Sequence, residues 1–365
     1  MIYSIIIPYH SNQILLHACL DSLISTIPDG VEIIIVANNS NPKEHSIELP
    51  YAQCRLIKVN YELFYPKAIH LGVEQAKGQY VIFCDADTVY TKGWFQALTS
   101  FYQQQEGIGY ASSKLLNPYD ETIIDFGIGF TEFNSPHPFR GRNKHFHLAD
   151  QSFCAQAACA ASSLIRKKLF IDIGGFNEKL MHSYSDIDLC LRLKEKGFST
   201  WCINDSLVFH KGNSTYNSGM SNHLKGDTKG QYMAVCSGKI KIDMDHYFKI
   251  AADYFISQCV FLHKEYYLID FTTIADKRWH YELFEDLLNI SFSDVYNRPY
   301  KVRDADHIPL YELLDSNIRQ MRFPILYFVD DFRALQTNTI WKYLRDCSWD
   351  IVIDRNANIL RITEI

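Results

Sequence analysis

The sequence QYVIFCDADT, at residues 79–88, decides the fold of the N-terminal part of the chain. A largely apolar run from Gln79 to Cys84 is followed by two carboxylates, Asp85 and Asp87. A short run without charge is typical of a strand that is buried on both faces of a parallel sheet. Ligands of such sheets lie at the carboxyl ends of the strands. We therefore predict that the acidic pair stands at the rim of a cleft.

Similar apolar runs recur along the first 215 residues and alternate with helical patterns. This alternation predicts an α/β domain with a Rossmann-like, mostly parallel sheet and helices on both faces. The remaining predicted strands are 4–8 (SIIIP), 31–37 (VEIIIVA) and a weaker one at 55–59. The predicted helices are 13–25, 68–76, 164–170 and 186–196.

The pattern changes near residue 217, where a stretch containing Gly and Lys runs to about residue 250. We predict an α/β domain at 1–220, a linker or helical segment at 221–262 and a smaller α/β appendage at 263–365. Beyond the linker, the sequence predicts a strand at 325–329 and a terminal hairpin. Helices are predicted at 247–262 and 339–346, and the hairpin turn at 356–358.

Composition excludes several classes of protein. The 365 residues include 36 Lys plus Arg and 42 Asp plus Glu, so the net charge of −6 offers no basic field for nucleic acid. The ten cysteines contain no C-x-x-C pair, which argues against a zinc ribbon. No apolar stretch approaches the ~20 residues of a membrane span, and the N-terminus is typical of a strand rather than of a signal peptide. We expect a cytoplasmic protein, peripheral at most at the inner face of the membrane.

The acidic pair Asp85 and Asp87 has two interpretations. Residues at i and i+2 of a strand end point the same way, so both carboxylates can reach one point. Two hard oxygen ligands suit Mg²⁺ or Mn²⁺, ions that commonly keep substrate phosphates in their shell. Acidic residues at strand ends are, however, often turn formers, and the motif alone does not decide between these interpretations.

Two further residues are ambiguous by themselves. Asp186 begins a predicted amphipathic helix, where an Asp commonly caps the first turn and where the helix N-terminus favours the ionised carboxylate. His210 closes an apolar strand, 206–209, a position usual for a packed or surface histidine.

The irregular segment 117–150 interleaves basic and aromatic residues. It is predicted to be a flexible wall over a bound substrate, a site for a phosphate-bearing substrate, or simply a solvated hairpin. Its basic and aromatic members are His137, Phe139, Arg140, Arg142, Lys144, His145, Phe146 and His147.

Four segments in order resemble the family 2 glycosyltransferases, which use nucleotide sugars and have the GT-A fold. They are 4–9 (SIIIPY), 60–83 before the acidic pair, 174–178 (GGFNE) and 185–193 (SDIDLCLRL). The resemblance covers about residues 1–215 and does not extend to the appendage.

The resemblance implies roles for individual residues. Asp186 matches the general base that takes the proton of the acceptor hydroxyl. Asp87 and His210 match metal ligands for Mn²⁺ or Mg²⁺, with Asp85 contacting the ion or the ribose. The donor-binding residues are expected to be Pro8, Tyr9, Asn38, Lys67, Asp85 and Ala86.

We therefore expect a metal-dependent inverting glycosyltransferase of bacterial polysaccharide or glycoconjugate assembly. Its donor would be a nucleotide sugar, with a UDP-sugar favoured, and its acceptor a glycan, a lipid-linked intermediate or a peptide. The C-terminal appendage is a candidate for self-association.

Two alternatives stay open at this stage. Ala37, His70 and Ser185 depart from the family pattern and motivate a degenerate binding or scaffold module. A nucleotidyltransferase on a similar fold is disfavoured, because no glycine-rich basic phosphate loop lies near the N-terminus.

Overall fold

The computed structural model contains two compact units, Met1–Ile242 and Asp243–Ile365. The structure describes residues 2–38, 49, 51–61, 63–130, 135, 137–140, 143–146, 149–180, 184–211, 228–241, 243, 265–272, 285, 291–297, 323–330, 350–354 and 359–361.

A ten-stranded sheet forms the centre of the first unit. Its strands are β1 (Tyr3–Tyr9), β2 (Glu32–Asn38), β3 (Cys54–Val59), β4 (Tyr80–Cys84), β5 (Thr88–Tyr90), β6 (Ile108–Leu116), β7 (Ile123–Asp125), β8 (Phe153–Ala155), β9 (Ser162–Arg166) and β10 (Ser199–His210). The order is β3-β2-β1-β4-β9-β6-β10-β5, with β7 paired to β6 and β8 paired to β10.

The sheet is mostly parallel, as predicted. Strands β3, β2, β1 and β4 run parallel to one another, and β6 runs parallel to β10. Because β9 is antiparallel to both β4 and β6, these two halves point the same way. The ends of β1, β2, β4, β6 and β10 therefore share one edge of the sheet, which we call the carboxyl edge.

Helices cover both faces of this sheet, also as predicted. They are α1 (Gln13–Ile24), α2 (Tyr65–Gln75), α3 (Trp94–Gln104), α4 (Lys167–Asp172), α5 (Ser185–Glu195) and α6 (Thr228–Cys236). The buried residues of α1, Leu16, Cys19, Leu20 and Leu23, follow helical spacing. They join Ile5 and Ile7 of β1 in the main hydrophobic cluster.

Helix α2 packs on the other face of β1. An added Cβ at Gly72 would lie 2.4 Å from Cγ2 of Ile6, so glycine at this position allows the helix axis to approach the strand. Pro66 occupies the first turn of α2, where its missing N–H leaves no bond unmade. Together these residues fix the N-terminus of α2 at the carboxyl edge.

One predicted element was wrong. Residues 164–170 were expected to form a helix, but Ser162–Arg166 is strand β9 and α4 begins at Lys167. Leu164 and Ile165 are fully buried, and they pair with Ile82 and Val81 of β4. Apolar residues without a clear period fit either element, and here the open edge of β4 decided the outcome.

The second unit contains a five-stranded sheet of order β12-β11-β13-β14-β15. Its strands are β11 (Glu265–Asp270), β12 (Ser291–Asn297), β13 (Ile325–Val329), β14 (Ile351–Asp354) and β15 (Ile359–Arg361). The first four are parallel, and β15 returns antiparallel to β14, which confirms the predicted strand 325–329 and the terminal pair. The predicted helices 247–262 and 339–346 and the turn 356–358 lie outside the described residues.

The division between the units falls after Ile242, whereas the sequence pattern changes near residue 217. Helix α6 packs in the first unit, where the ring of Tyr232 contacts the ring of Tyr184 at 6.0 Å between centroids. The domain limits 1–220, 221–262 and 263–365 stay predictions. Within the described helices, none combines the length and the hydropathy that a membrane crossing requires.

Candidate active site at the carboxyl edge

The acidic pair lies in the tight turn between β4 and β5. The N–H of Asp85 donates to the carbonyl of Ala161 at 2.9 Å, and the hydroxyl of Thr88 donates to the carbonyl of Asp85 at 2.7 Å. Strand β5 then pairs antiparallel with the end of β10, with Thr88 opposite His210. The N–H of Lys211 donates to the carbonyl of Asp87 at 3.1 Å. This pairing brings His210 to the acidic turn.

The side chains of Asp85, Asp87 and His210 converge on one point. Nε2 of His210 lies 3.2 Å from Oδ1 of Asp87 and 3.7 Å from Oδ2 of Asp85. One ligand atom from each residue lies within 4.8 Å of the other two. The predicted ligands therefore form a cluster, although they come from two separate segments of the chain.

The surroundings of this cluster disfavour its negative charge. The side chain of Asp85 keeps 30% of its surface exposed, but protein encloses the rest. This desolvation raises the pKa of Asp85 to about 6. The charge of His210 lowers this pKa, whereas the charges of Asp87 and Asp186 raise it further. Burial lowers the pKa of His210, but its bond to Asp87 and the charges of both carboxylates outweigh burial and raise it.

The cluster fits a divalent cation by its chemistry. Two carboxylate oxygens and one imidazole nitrogen converge in a partly enclosed site where negative charge is costly, and a bound cation would offset that cost. Mn²⁺ accepts such a mixed oxygen and nitrogen set, and Mg²⁺ accepts its oxygens. The three residues therefore fit the group that the sequence predicted.

Asp186 lies in the first turn of α5, at the same edge of the sheet. Its Oδ1 accepts the N–H of Ile187 at 2.9 Å, so the carboxylate does take part in satisfying the helix N-terminus. Burial nevertheless raises the pKa of Asp186, more than the Ile187 bond lowers it. The expected preference of the helix N-terminus for the ionised form is thus outweighed by desolvation.

The predicted donor-binding residues occupy several positions. Pro8 and Tyr9 end β1, opposite Val36 and Ala37, and Ala86 lies in the acidic turn. Asn38 is the last residue of β2, so its backbone reaches the carboxyl edge. Lys67 is half exposed, and its ammonium lies 3.8 Å from Oε2 of Glu178.

His70, which departs from the family pattern, joins α2 to the segment 174–178. Its Nδ1 lies 3.1 Å from Oε1 of Glu178. Gly175 has a φ of +63°, and a Cβ there would lie 2.3 Å from Nε2 of His70. Arg192 of α5 donates to the carbonyls of Ile173 at 2.8 Å and Gly175 at 2.6 Å. These contacts tie α5, and with it Asp186, to α2.

Sequence reasoning missed two features of this edge. Tyr65, at the start of α2, packs its ring on Phe176 and buries a hydroxyl that has no hydrogen-bond partner in the described part of the chain. Burial, followed by the charge of Asp85, raises its pKa well above the ordinary value. Asp125, at the end of β7, forms a hydrogen bond with His137. No local pattern distinguishes Tyr65 or Asp125, because both owe their setting to distant segments.

Residues 4–167 match the family model described as "Glycosyl transferase family 2". Over 222 residues the chain is 28% identical to the "O-antigen biosynthesis protein RfbC" of Myxococcus xanthus, covering 57% of this chain and 17% of that protein. Over 212 residues it is 25% identical to the "Amylovoran biosynthesis glycosyltransferase AmsB" of Erwinia amylovora, covering 56% of this chain and 68% of that protein.

Among solved structures, the chain is similar to "GalNAc-T7 with UDP, GalNAc and Mn2+", with a TM-score of 0.50 and 18% identity. The likeness covers 80% of this chain and 55% of that one, and it identifies the GT-A fold. The chain spans less than a fifth of RfbC and about half of the solved structure.

Proposed function

From the premise that residues 4–167 form a family 2 glycosyltransferase domain, we propose that the protein moves a sugar from a nucleoside-diphosphate sugar to an acceptor hydroxyl, with inversion at the anomeric carbon. The observation that carries this proposal is the convergence of Asp85, Asp87 and His210 at the carboxyl edge. Sheets of this kind bind ligands at that edge.

The cation is assigned to Asp87 and His210, with Asp85 contacting either the ion or the ribose. A bound Mn²⁺ or Mg²⁺ would neutralise charge on the leaving diphosphate. The protein's part is to hold the three ligand atoms close together before the ion arrives, which their packing supports.

Asp186 is proposed to take the proton of the attacking hydroxyl. Because Oδ1 already accepts the N–H of Ile187, we assign the proton to Oδ2. Burial raises the pKa of this carboxyl, and a higher pKa makes the carboxylate a stronger base near neutral pH. The hydroxyl would attack from the face opposite the diphosphate, and the configuration would invert.

We propose a UDP-sugar as the donor, held by Pro8, Tyr9, Asn38, Lys67, Asp85 and Ala86. Asn38 ends β2 beside the paired residues Tyr9 and Ala37, and an amide at that position can both donate to and accept from a pyrimidine edge. Lys67 would have to leave Glu178 to reach a phosphate.

The relatives named for O-antigen and amylovoran biosynthesis lead us to propose a role in bacterial polysaccharide or glycoconjugate assembly. The acceptor would be a glycan, a lipid-linked intermediate or a peptide. The second unit is proposed to bind the acceptor, a second copy of the chain or a partner protein.

The experiment that tests this function needs no acceptor. The full chain is incubated with a panel of nucleotide sugars and Mn²⁺, and released nucleoside diphosphate is measured with and without EDTA. Release that EDTA and Asp87→Asn abolish would support the proposal. Asp29→Asn is the matched control, because Asp29 is exposed in the loop before β2, at the opposite edge of the sheet.

Other outcomes would contradict the proposal. Failure to bind any nucleotide in Mn²⁺ by calorimetry, together with absent turnover, would favour the degenerate binding or scaffold module. Release of pyrophosphate would favour a nucleotidyltransferase.

A further inference from the structure

A buried carboxylate outside the proposed metal cluster forms a pair with a histidine. Asp125 is only 2% exposed, and its Oδ2 is hydrogen-bonded to Nδ1 of His137. Its Oδ1 is buried and has no hydrogen-bond partner among the residues that the structure describes. Buried carboxylate oxygens are normally satisfied, so the environment of this pair requires an explanation.

The strand register places this pair at the carboxyl edge. Strand β9 begins at Ser162, opposite Cys84, and leaves the last residues of β6 without a partner on that side. Strand β7 takes this position, so that Asp125 pairs with Leu115, and Leu115 pairs with Val208, two residues before His210. Asp125 therefore lies at the same edge as His210 and the acidic turn.

The pair also lies within electrostatic reach of the proposed base. Asp125 raises and His137 lowers the pKa of Asp186, and Asp125 also raises the pKa of His210. These electrostatic effects agree with the strand register, which places Asp125 at the carboxyl edge.

The segment that carries His137 is held in place. Nε of Arg140 donates to the carbonyl of Ile124 at 3.0 Å, and the buried ammonium of Lys114 donates to the carbonyls of Lys144 at 3.1 Å and Ala149 at 2.6 Å. Phe139 is buried among aromatic rings, including those of Phe126 and Phe153. The imidazole of His137 is therefore presented from a packed support.

The bond to Asp125 fixes the chemistry of His137. A carboxylate only accepts, so a neutral imidazole must donate its Nδ1–H to Asp125 and leave Nε2 as an acceptor. The side chain of His137 is 26% exposed, so part of the ring is accessible. A nitrogen acceptor with a fixed orientation is suited to binding a hydroxyl group.

We propose that the Asp125–His137 pair binds the acceptor, with Nε2 of His137 accepting a hydrogen bond from a hydroxyl of a carbohydrate. This contact would orient the acceptor so that a neighbouring hydroxyl faces Asp186. The identity of the ligand rests on the proposed function. The hydrogen bond between Asp125 and His137, and the tautomer that it imposes, do not.

The first test therefore needs no turnover. Heteronuclear NMR of the histidine ring nitrogens in the full chain should show His137 in the Nδ1–H tautomer, with its signals assigned by comparison with His137→Asn. Asp125→Asn should shift these signals, whereas His145→Asn should not, because His145 is exposed in the same segment. A neutral His137 in the Nε2–H tautomer would overturn the inference, whatever the enzyme's activity.

The second test uses methyl glycosides of common hexoses as probe acceptors, with water as competitor. The ratio of transfer to donor hydrolysis should fall about tenfold in His137→Asn, the size expected for one lost hydrogen bond. His137→Gln should recover part of the ratio, because its amide oxygen reaches the position of Nε2. His145→Asn should keep the wild-type ratio.

An unchanged ratio in His137→Asn, or a wild-type enzyme that hydrolyses its donor without transfer to any glycoside, would overturn the acceptor role. Absence of donor turnover in the wild type would instead contradict the proposed function, and the NMR result would still report on the pair.

Discussion

Nε2 of His210 lies 3.2 Å from Oδ1 of Asp87, at the point where the end of β10 pairs with β5. The contact depends on the antiparallel register that sets His210 opposite Thr88. Because Asp85 approaches the same nitrogen, the three side chains already form a pre-organised group.

Replacement of either member of this pair should weaken metal binding. We expect His210→Ala and Asp87→Asn each to lower Mn²⁺ affinity by roughly 10–100-fold, because each removes a ligand or its support. Isothermal calorimetry on the metal-free protein measures the effect, with Asp29→Asn as control. Equal affinity in wild type and His210→Ala would exclude His210 from the site.

Asp85 should make the metal-free protein less stable as the pH rises. Its pKa is raised from 3.8 to about 6 in the folded state, so folding favours the protonated carboxyl. The resulting stabilisation is present below pH 4 and is lost as the pH rises through 6. In EDTA, the melting temperature of Asp85→Asn should therefore rise relative to that of the wild type as the pH increases from 4 to above 6. A difference that does not depend on pH would contradict the assignment.

Asp186→Asn should separate binding from chemistry. The amide keeps the shape of the side chain but cannot take a proton, so transfer should fall by about 10²–10⁴-fold while donor binding is retained. Turnover and calorimetry with the same nucleotide sugar measure the two effects. Normal turnover in this variant would refute Asp186 as the base.

Tyr65→Phe should stabilise the unliganded protein and weaken donor binding. The buried hydroxyl has no partner in the described residues, so its removal should raise the free energy of unfolding by about 1 kcal/mol. The hydroxyl also lies within electrostatic reach of Asp85, a proposed donor-binding residue, so affinity for the nucleotide sugar should fall about tenfold. Tyr119→Phe is the matched control, because Tyr119 is 80% exposed. A destabilised Tyr65→Phe would indicate that the hydroxyl has a structural role.

Two neighbouring glycines should differ in their tolerance of alanine. Gly174 and Gly175 both have positive φ, which costs an alanine about 1–2 kcal/mol at either position. Only at Gly175 would the Cβ also meet His70, so Gly175→Ala should lose about a further 1–3 kcal/mol in chemical unfolding.

A double-mutant cycle checks the cause of that further loss. Combining Gly175→Ala with His70→Ala should recover most of it, because the clashing ring is removed. Strictly additive effects would show that contact with His70 is not the reason.

The sequence predicted eight of the fifteen described strands and the acidic turn, because these depend on local pattern. The apolar runs of β1, β2 and β4 could form little other than buried strands, and their order required a parallel sheet with a ligand edge. The prediction of a helix at 164–170 was wrong because an apolar run without a clear period fits both a helix and a strand. The helix that carries Asp186 was predicted within one residue of its observed bounds. The burial of the Asp186 carboxylate could not be predicted, because it does not depend on residues adjacent in sequence.

By itself, then, the sequence determined the α/β class of the first unit and the edge predicted to bind ligands, and its resemblance to a known family supplied the three metal-ligand candidates. Only the tertiary structure decided that Asp85, Asp87 and His210 meet, that desolvation outweighs the helix N-terminus at Asp186, and that Tyr65 and the Asp125–His137 pair face the same edge. The reason is physical: strand and helix formation follow from residues a few positions apart, whereas desolvation and convergence depend on which distant segments the sheet register brings together.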